Sequence, residues 1–225
     1  MIFDGHSDIF SDVRYKREAG ETQVLKNHHL DRLRKGGIGG ACFVIWADTY
    51  NGHAPKDEME AIVKGIKGEM AETKEFVLIH NVEELKAAEA AGKFAILLGI
   101  EGLAGIGEDL SKIDELYDLG ARHAMLTWNE ENALATGVKG DPNRGVTELG
   151  KQAIKKLQEK KMILDVSHIN EKSFWDVIDL ATGPILASHS NAKALASAAR
   201  NLTDDQLRAI RDTNGLVGLN AFGDF

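Results

Sequence analysis

Five residues of metal-binding type stand where apolar runs give way to polar sequence. His6 and Asp8 close the opening segment Met1–Ile9 as His6-Ser7-Asp8. Strand residues two apart point the same way, so this imidazole and carboxylate face one side together. That makes half of a site for a divalent metal. Read alone, the pair is equally compatible with a surface histidine and a turn aspartate. Glu101 follows the run Phe94–Ile100 and is flanked by Gly99 and Gly102. A carboxylate at the edge of a core needs a partner or a metal, because an unpaired buried charge is costly. A solvated loop glutamate is the plainer alternative. His168 and His189 lie in matching segments, Asp165-Val166-Ser167-His168-Ile169-Asn170 and Leu186-Ala187-Ser188-His189-Ser190-Asn191. One such histidine is unremarkable. Two at matching positions after neighbouring strands are better explained as ligands. Three imidazoles and two carboxylates suit two zinc ions sharing one bridging carboxylate, about 3.5–4 Å apart. Such a pair lowers the pKa of a shared water toward roughly 7 and supplies hydroxide at neutral pH.

These residues need a scaffold that gathers strand ends. Short apolar runs predict strands at Met1–Ile9, Ile38–Ala47, Phe94–Ile100, Ala121–Trp128, Met162–His168, Pro184–His189 and Leu216–Phe222. Charged amphipathic segments between them predict helices at Asp57–Thr73, Val82–Ala91, Leu110–Leu119, Thr147–Lys160, Glu171–Leu180, Ala192–Ala198 and Asp204–Arg211. Thr203-Asp204-Asp205-Gln206 has the pattern of a capping box. Asn170 and Asn191 are placed to cap the helices that follow them. Gly120 and Gly183 follow two helices, where a left-handed cap is wanted. Alternating strands and helices imply a parallel sheet in an α/β fold. The polar residues gather at the C-terminal ends of many strands, and no G-x-G-x-x-G opens a helix. Both favour a (β/α)8 TIM-barrel type, one domain over residues 1–225, above an open doubly wound sheet. Such barrels typically take about 250 residues, so the chain reads as truncated after its seventh strand.

Composition excludes other classes. The chain has 225 residues, 27 Lys+Arg and 35 Asp+Glu, for a net charge of −8. An acidic balance lacks the basic footprint that nucleic acid or an anionic membrane requires. The single Cys42 rules out an internal disulfide and a cysteine zinc cage. With no apolar leader visible, the expected location is the cytoplasm.

The motifs Asp4-Gly5-His6-Ser7-Asp8, Gly99-Ile100-Glu101-Gly102, Asp165-Val166-Ser167-His168, Ser188-His189-Ser190 and Arg200-Asn201-Leu202 together resemble the membrane (renal) dipeptidase family, the M19 zinc dipeptidases. The resemblance runs in order along the whole chain. It implies a (β/α)8 barrel with a binuclear zinc site that hydrolyses dipeptides, often with a D-residue at the C-terminal position. His6 and Asp8 would then hold one zinc, His168 and His189 the other, and Glu101 would bridge them. Arg200 would bind the carboxylate of a small dipeptide substrate, which a guanidinium can grip through two parallel hydrogen bonds. Two departures stand out. Many relatives have Leu-Thr-His where this chain reads Leu126-Thr127-Trp128, and an indole N–H cannot carry positive charge. Trp128 would wall the pocket, with Asn129 as the polar contact to substrate. The family's eighth-strand aspartate, which binds the substrate amine, has no counterpart before Phe225. The alternatives are another two-metal hydrolase, acting on a lactone, β-lactam or phosphoester, and a non-catalytic fragment. A homodimer is compatible with both the strand edges and the family.

The remaining candidates read as structural. Asp4 is a partner for the metal edge or a strand-start residue. Asp165 is structural. His123 has the opposite strand parity to Trp128 and should face outer helices. His28, His29, His53 and His80 read as solvated, and Cys42 as core.

Overall fold

A computed structural model describes residues 1–47 and 52–225. They form two compact units, Met1–Ile100 with Asp118–Arg122, and Glu101–Tyr117 with His123–Phe225.

The first unit is built on four strands, β1 (Ile2–Ser7), β2 (Ile38–Trp46), β3 (Phe76–Leu78) and β4 (Phe94–Glu101), in the order β1-β2-β4-β3. β1 pairs with β2 and β3 with β4, both parallel. β2 and β4 are almost continuously apolar and buried, as strands covered on both faces must be. Their aromatic core is a chain of rings. Phe10 meets Phe43 edge-on at 5.5 Å, Phe43 stacks on Phe94 at 5.5 Å, and Phe76 lies 5.2 Å from Phe94. Around the sheet run α1 (Ile9–Glu18), a π-helical turn (Leu25–Leu30) that leads into α2 (Asp31–Lys35), α3 (Pro55–Glu72) and α4 (Val82–Ala90). Pro55 starts α3, where its missing N–H costs nothing. The Asn81 side chain accepts from Glu84 N and opens α4.

The second unit carries β5 (His123–Met125), β6 (Ile163–Asp165), β7 (Ile185–Ala187) and β8 (Leu216–Val217), all parallel and in sequence order. Its helices are α5 (Lys112–Leu119), α6 (Glu148–Glu159), α7 (Glu171–Leu180) and α8 (Asp204–Asp212). Thr147 caps α6, Asn170 caps α7, and Thr203 with Gln206 forms the expected capping box on α8. Among the described residues no helix is long and apolar enough to cross a membrane.

All seven expected strands are present, most of them shorter than the apolar runs suggested. Several features differ, among them the π-helical turn and α2, which no expected helix covered. β3 is additional, so eight strands are described and the chain does not stop after a seventh as expected; three residues long, β3 pairs with the start of β4, beyond which Leu98 bridges Ala121. α1 is also additional, and it claims Ile9 from the expected first strand. The expected helix Ala192–Ala198 does not form. Lys193 N donates to Leu202 O and Ala192 pairs with Leu202, so backbone groups that a helix needs are spent across the loop. Asn191 therefore caps nothing; its side chain accepts from Asn220 N and donates to Asn220 O. Gly120 does take a positive φ, +119°, directly after α5. Gly183 does not, because α7 ends three residues earlier at Leu180, with Ala181 already extended.

Candidate metal centre and its carboxylate clamp

In the second unit the ends of three strands bring Glu101, His168 and His189 to one point. Glu101 is the last residue of β4 and the first of the second unit, while His168 and His189 follow β6 and β7. Glu101 Oε1 lies 2.9 Å from His168 Nε2 and 3.5 Å from His189 Nε2, and the two Nε2 atoms are 2.7 Å apart. Glu101 is 4% and His168 6% exposed, so this polar group is withdrawn from water. Two imidazole nitrogens that close cannot both present a lone pair, so a hydrogen on one of them or a metal ion must lie between. Glu101 adds the negative charge that holds it.

The other ring nitrogens are engaged. His168 Nδ1 is 2.9 Å from Asn129 Oδ1, and His189 Nδ1 is 2.8 Å from Ser188 Oγ. Such outer partners orient imidazoles toward a metal. His168 has a left-handed backbone, φ 70°, a strain that persists only where the surroundings impose it.

Arg200 is 5% exposed and lies in the turn region before α8. Its NH1 donates to His189 O at 2.6 Å, and its guanidinium carbon sits 4.7 Å from the centre of the Phe225 ring. Nε and NH2 are buried with no hydrogen-bond partner among the described residues. Burial pulls the guanidinium down to about 10, while the charges of Glu101 and Asp165 oppose that; Arg200 stays cationic at neutral pH. A buried cation with unused donors is set up for an anion.

His123 and Asp165 make a second buried pair, with Nε2 and Oδ2 2.7 Å apart and both side chains fully enclosed. Burial disfavours the charged carboxylate, but the bond from His123 and its charge outweigh this and hold Asp165 well below the usual carboxylate range. Asp165 also accepts from Ser167 N and Ser188 N, so it fixes the chain next to both site histidines. Trp128 is half-buried, with its ring centre 6.0 Å from that of His168.

The first unit holds His6 and Asp8. β1 ends at Ser7, so Asp8 is the residue preceding α1 rather than a strand residue, and its side chain caps nothing. The two still meet, with His6 Nε2 3.5 Å from Asp8 Oδ1. Asp4 Oδ1 accepts from His6 N, which makes it a local brace for this corner. His28, His29 and His80 each face an acidic partner, Glu21, Asp12 and Glu84.

A match to the membrane dipeptidase family, peptidase family M19, spans residues 1–225. The chain belongs to that family. An uncharacterized protein from the PQQ-III 3′ region of Acinetobacter calcoaceticus is 31% identical over 250 residues, covering 97% of this chain and 79% of that protein. Two solved M19 or related metallopeptidase structures superpose closely. One is a dipeptidase of family M19, with a TM-score of 0.87 and 27% identity over 97% of this chain and 72% of its own. The other is a Rhodobacter sphaeroides metallopeptidase bound to a phosphinate mimic of the dipeptide L-Ala-D-Ala, with a TM-score of 0.86, 27% identity, and 97% and 73% coverage. The α/β class with parallel sheets, expected from the strand and helix pattern, is the fold of this M19 chain, and it matches the M19 dipeptidase structures. M19 membership also makes the chain one of a family of metal-dependent hydrolases.

The hydrogen bonds to the histidine Nδ1 atoms were not legible in the sequence. Ser188 adjoins His189 and offered a weak signal. Asn129 and His168 are 39 residues apart, and nothing in either segment points to the other.

Proposed function

We propose that this chain hydrolyses dipeptides at a binuclear zinc centre held by His6, Asp8, Glu101, His168 and His189, with Glu101 as the bridging carboxylate. The observation that carries the reading is the convergence of Glu101 Oε1 and the two imidazole Nε2 atoms beside an arginine with bare, buried donors. The donor set fits the group. Imidazoles and carboxylates suit zinc, and Glu101 Oε1 and the two Nε2 atoms offer a carboxylate and two imidazole donors within reach of one ion. Metal bound there supplies Lewis acidity and a water acidified toward neutral pH.

The chain's own residues do the rest. Arg200 grips the C-terminal carboxylate through Nε and NH2, the two nitrogens that lack a partner. Its NH1, bonded to His189 O, ties that grip to the metal edge, so substrate and reaction centre keep a fixed spacing. Trp128 excludes water on the His168 side. It cannot offer the positive charge that a histidine would, so charge stabilisation falls to the metal edge and Arg200. A pocket anchored at the carboxylate end selects short substrates.

The test is a panel of dipeptides, L-Ala-D-Ala first among them, with the zinc-loaded chain and its Arg200→Met variant. Dipeptides should be cleaved and N-terminally related amides lacking the carboxylate should not. If Arg200→Met leaves dipeptide kinetics unchanged, the carboxylate clamp is wrong, and a lactone, β-lactam or phosphoester becomes the better substrate class.

A further inference from the structure

Asn129 stands two residues after a buried threonine, at the start of a loop that returns to the rim. Its side-chain oxygen meets His168 Nδ1 at 2.9 Å. The backbones of the two residues are tied to one intervening segment. Gly137 N donates to Glu130 O and Lys139 N to Asn129 O, fixing one edge of that segment. On its other edge Val138 N donates to His168 O, Gly137 bridges Ile169, and Asn170 N donates to Thr136 O. The approach is so close that a Cβ on Gly137 would lie 2.3 Å from Trp128 O and 2.5 Å from Asn129 C. Only glycine fits there. The same segment holds His168 in its left-handed conformation.

We propose that Asn129 is the positioning residue of His168: its amide oxygen holds the Nδ1 proton, so that Nε2 is the nitrogen presented toward Glu101 and His189. The assignment deepens the metal-centre reading and rests on it for its consequence, a tighter grip on the ion. The physical reasoning is short. An amide oxygen can only accept, so the facing ring nitrogen must carry the hydrogen. A neutral imidazole with Nδ1–H has its lone pair on Nε2, the atom that faces the other donors. Loop residues 129–139 thereby set the chemistry of a histidine that is distant in sequence. This gives Asn129 a different task from contacting substrate.

Two variants test it in the full chain. Asn129→Leu removes the acceptor, and Asn129→Asp keeps one. Zinc affinity, measured by competition with a chelator, should fall by roughly 10–100-fold in Asn129→Leu and stay within a few-fold of wild type in Asn129→Asp. Long-range proton–nitrogen NMR of the metal-free chain should show a slowly exchanging Nδ1 proton on His168 in wild type and Asn129→Asp, lost in Asn129→Leu. Thermal melting checks that each variant is folded. Unchanged zinc affinity in folded Asn129→Leu, with only KM for dipeptides raised, would return Asn129 to the substrate and overturn the proposal. A wild-type His168 with no proton on Nδ1 overturns it too. A chain that binds no zinc yet keeps the Nδ1 proton in the expected pattern refutes the metal-centre reading and upholds the hydrogen bond.

Discussion

Two clusters of buried charge in this protein are built on opposite plans. Between α1 and α3 the carboxylates of Glu69 and Glu72 are saturated. Glu69, fully enclosed, accepts from Arg17 NH1 at 3.1 Å, Leu25 N at 2.8 Å and Thr73 Oγ1 at 2.9 Å. Glu72 takes two bonds from the same arginine; the neighbouring buried Glu58 is held only by the charge of Arg14 at 3.2 Å, and its Oε2 has no hydrogen bond among the described residues. At the strand ends of the second unit the charges converge instead of saturating. Glu101 and two imidazoles aim at one point, and Arg200 keeps two buried donors without a partner. A cluster whose donors and acceptors balance is a brace. One whose groups point at a common spot and leave donors bare has been shaped for something that arrives later.

The comparison is sharpest under mutation. Glu69→Ala should strand the buried Leu25 N–H and Thr73 hydroxyl and leave Arg17 with Glu72 alone, costing about 3–5 kcal/mol, since each buried donor left without an acceptor costs about 1–3 kcal/mol. Melting should then fall by roughly 6–20 °C, with zinc stoichiometry in the folded fraction unchanged. Arg200→Met should do the reverse. It removes a buried cation that its surroundings do not fully satisfy, so stability should stay within about 1 kcal/mol or rise. Dipeptide kcat/KM should drop on the order of 10²–10³-fold, the worth of a pair of charged hydrogen bonds. A large fall in melting temperature for Arg200→Met would make that arginine a brace like Arg17.

How much of this was legible in the sequence follows the same physics. The ligand-type residues stood out because a charged residue directly after an apolar run needs a reason, and His6, Asp8, Glu101, His168 and His189 all occupy such places. Long apolar runs exposed β2 and β4 at nearly their true bounds. β3 escaped because three residues show no period. α1 escaped because its buried face includes Arg14, whose ion pairs with Glu18 and Glu58 make a charged residue a core one. Ala192–Ala198 misled because alanine's helix propensity is a weak prior against backbone pairing with Leu202. The Asn129–His168 bond is a tertiary fact, carried by a loop that only the fold closes.

Smaller effects test the frame around the two clusters. Thr203→Ala should cost about 1 kcal/mol by removing the hydroxyl half of the α8 capping box, read as a modest loss in denaturant midpoint. The gentlest probe is acid. The hydrogen bonds from Arg17 hold the exposed Glu72 carboxyl at about 2, below its ordinary 4.5. A depressed carboxylate contributes its stability above the unfolded value and loses it as pH falls through the folded one. The difference in melting between wild type and Glu72→Gln should therefore be full near neutrality, shrink below pH 4.5 and vanish near pH 2. High salt should shrink it at any pH, because the pair is exposed. A difference that grows in acid would place the stabilising charge elsewhere.

The most direct test of the central claim is metal content per folded chain, after purification and dialysis against trace zinc. About two zinc ions per chain are expected, as in other two-metal hydrolytic sites, with the number falling toward zero in Glu101→Ala and unchanged in Glu69→Ala. A wild-type content near zero, or a content indifferent to Glu101, would contradict the reading of the strand-end cluster as a metal centre.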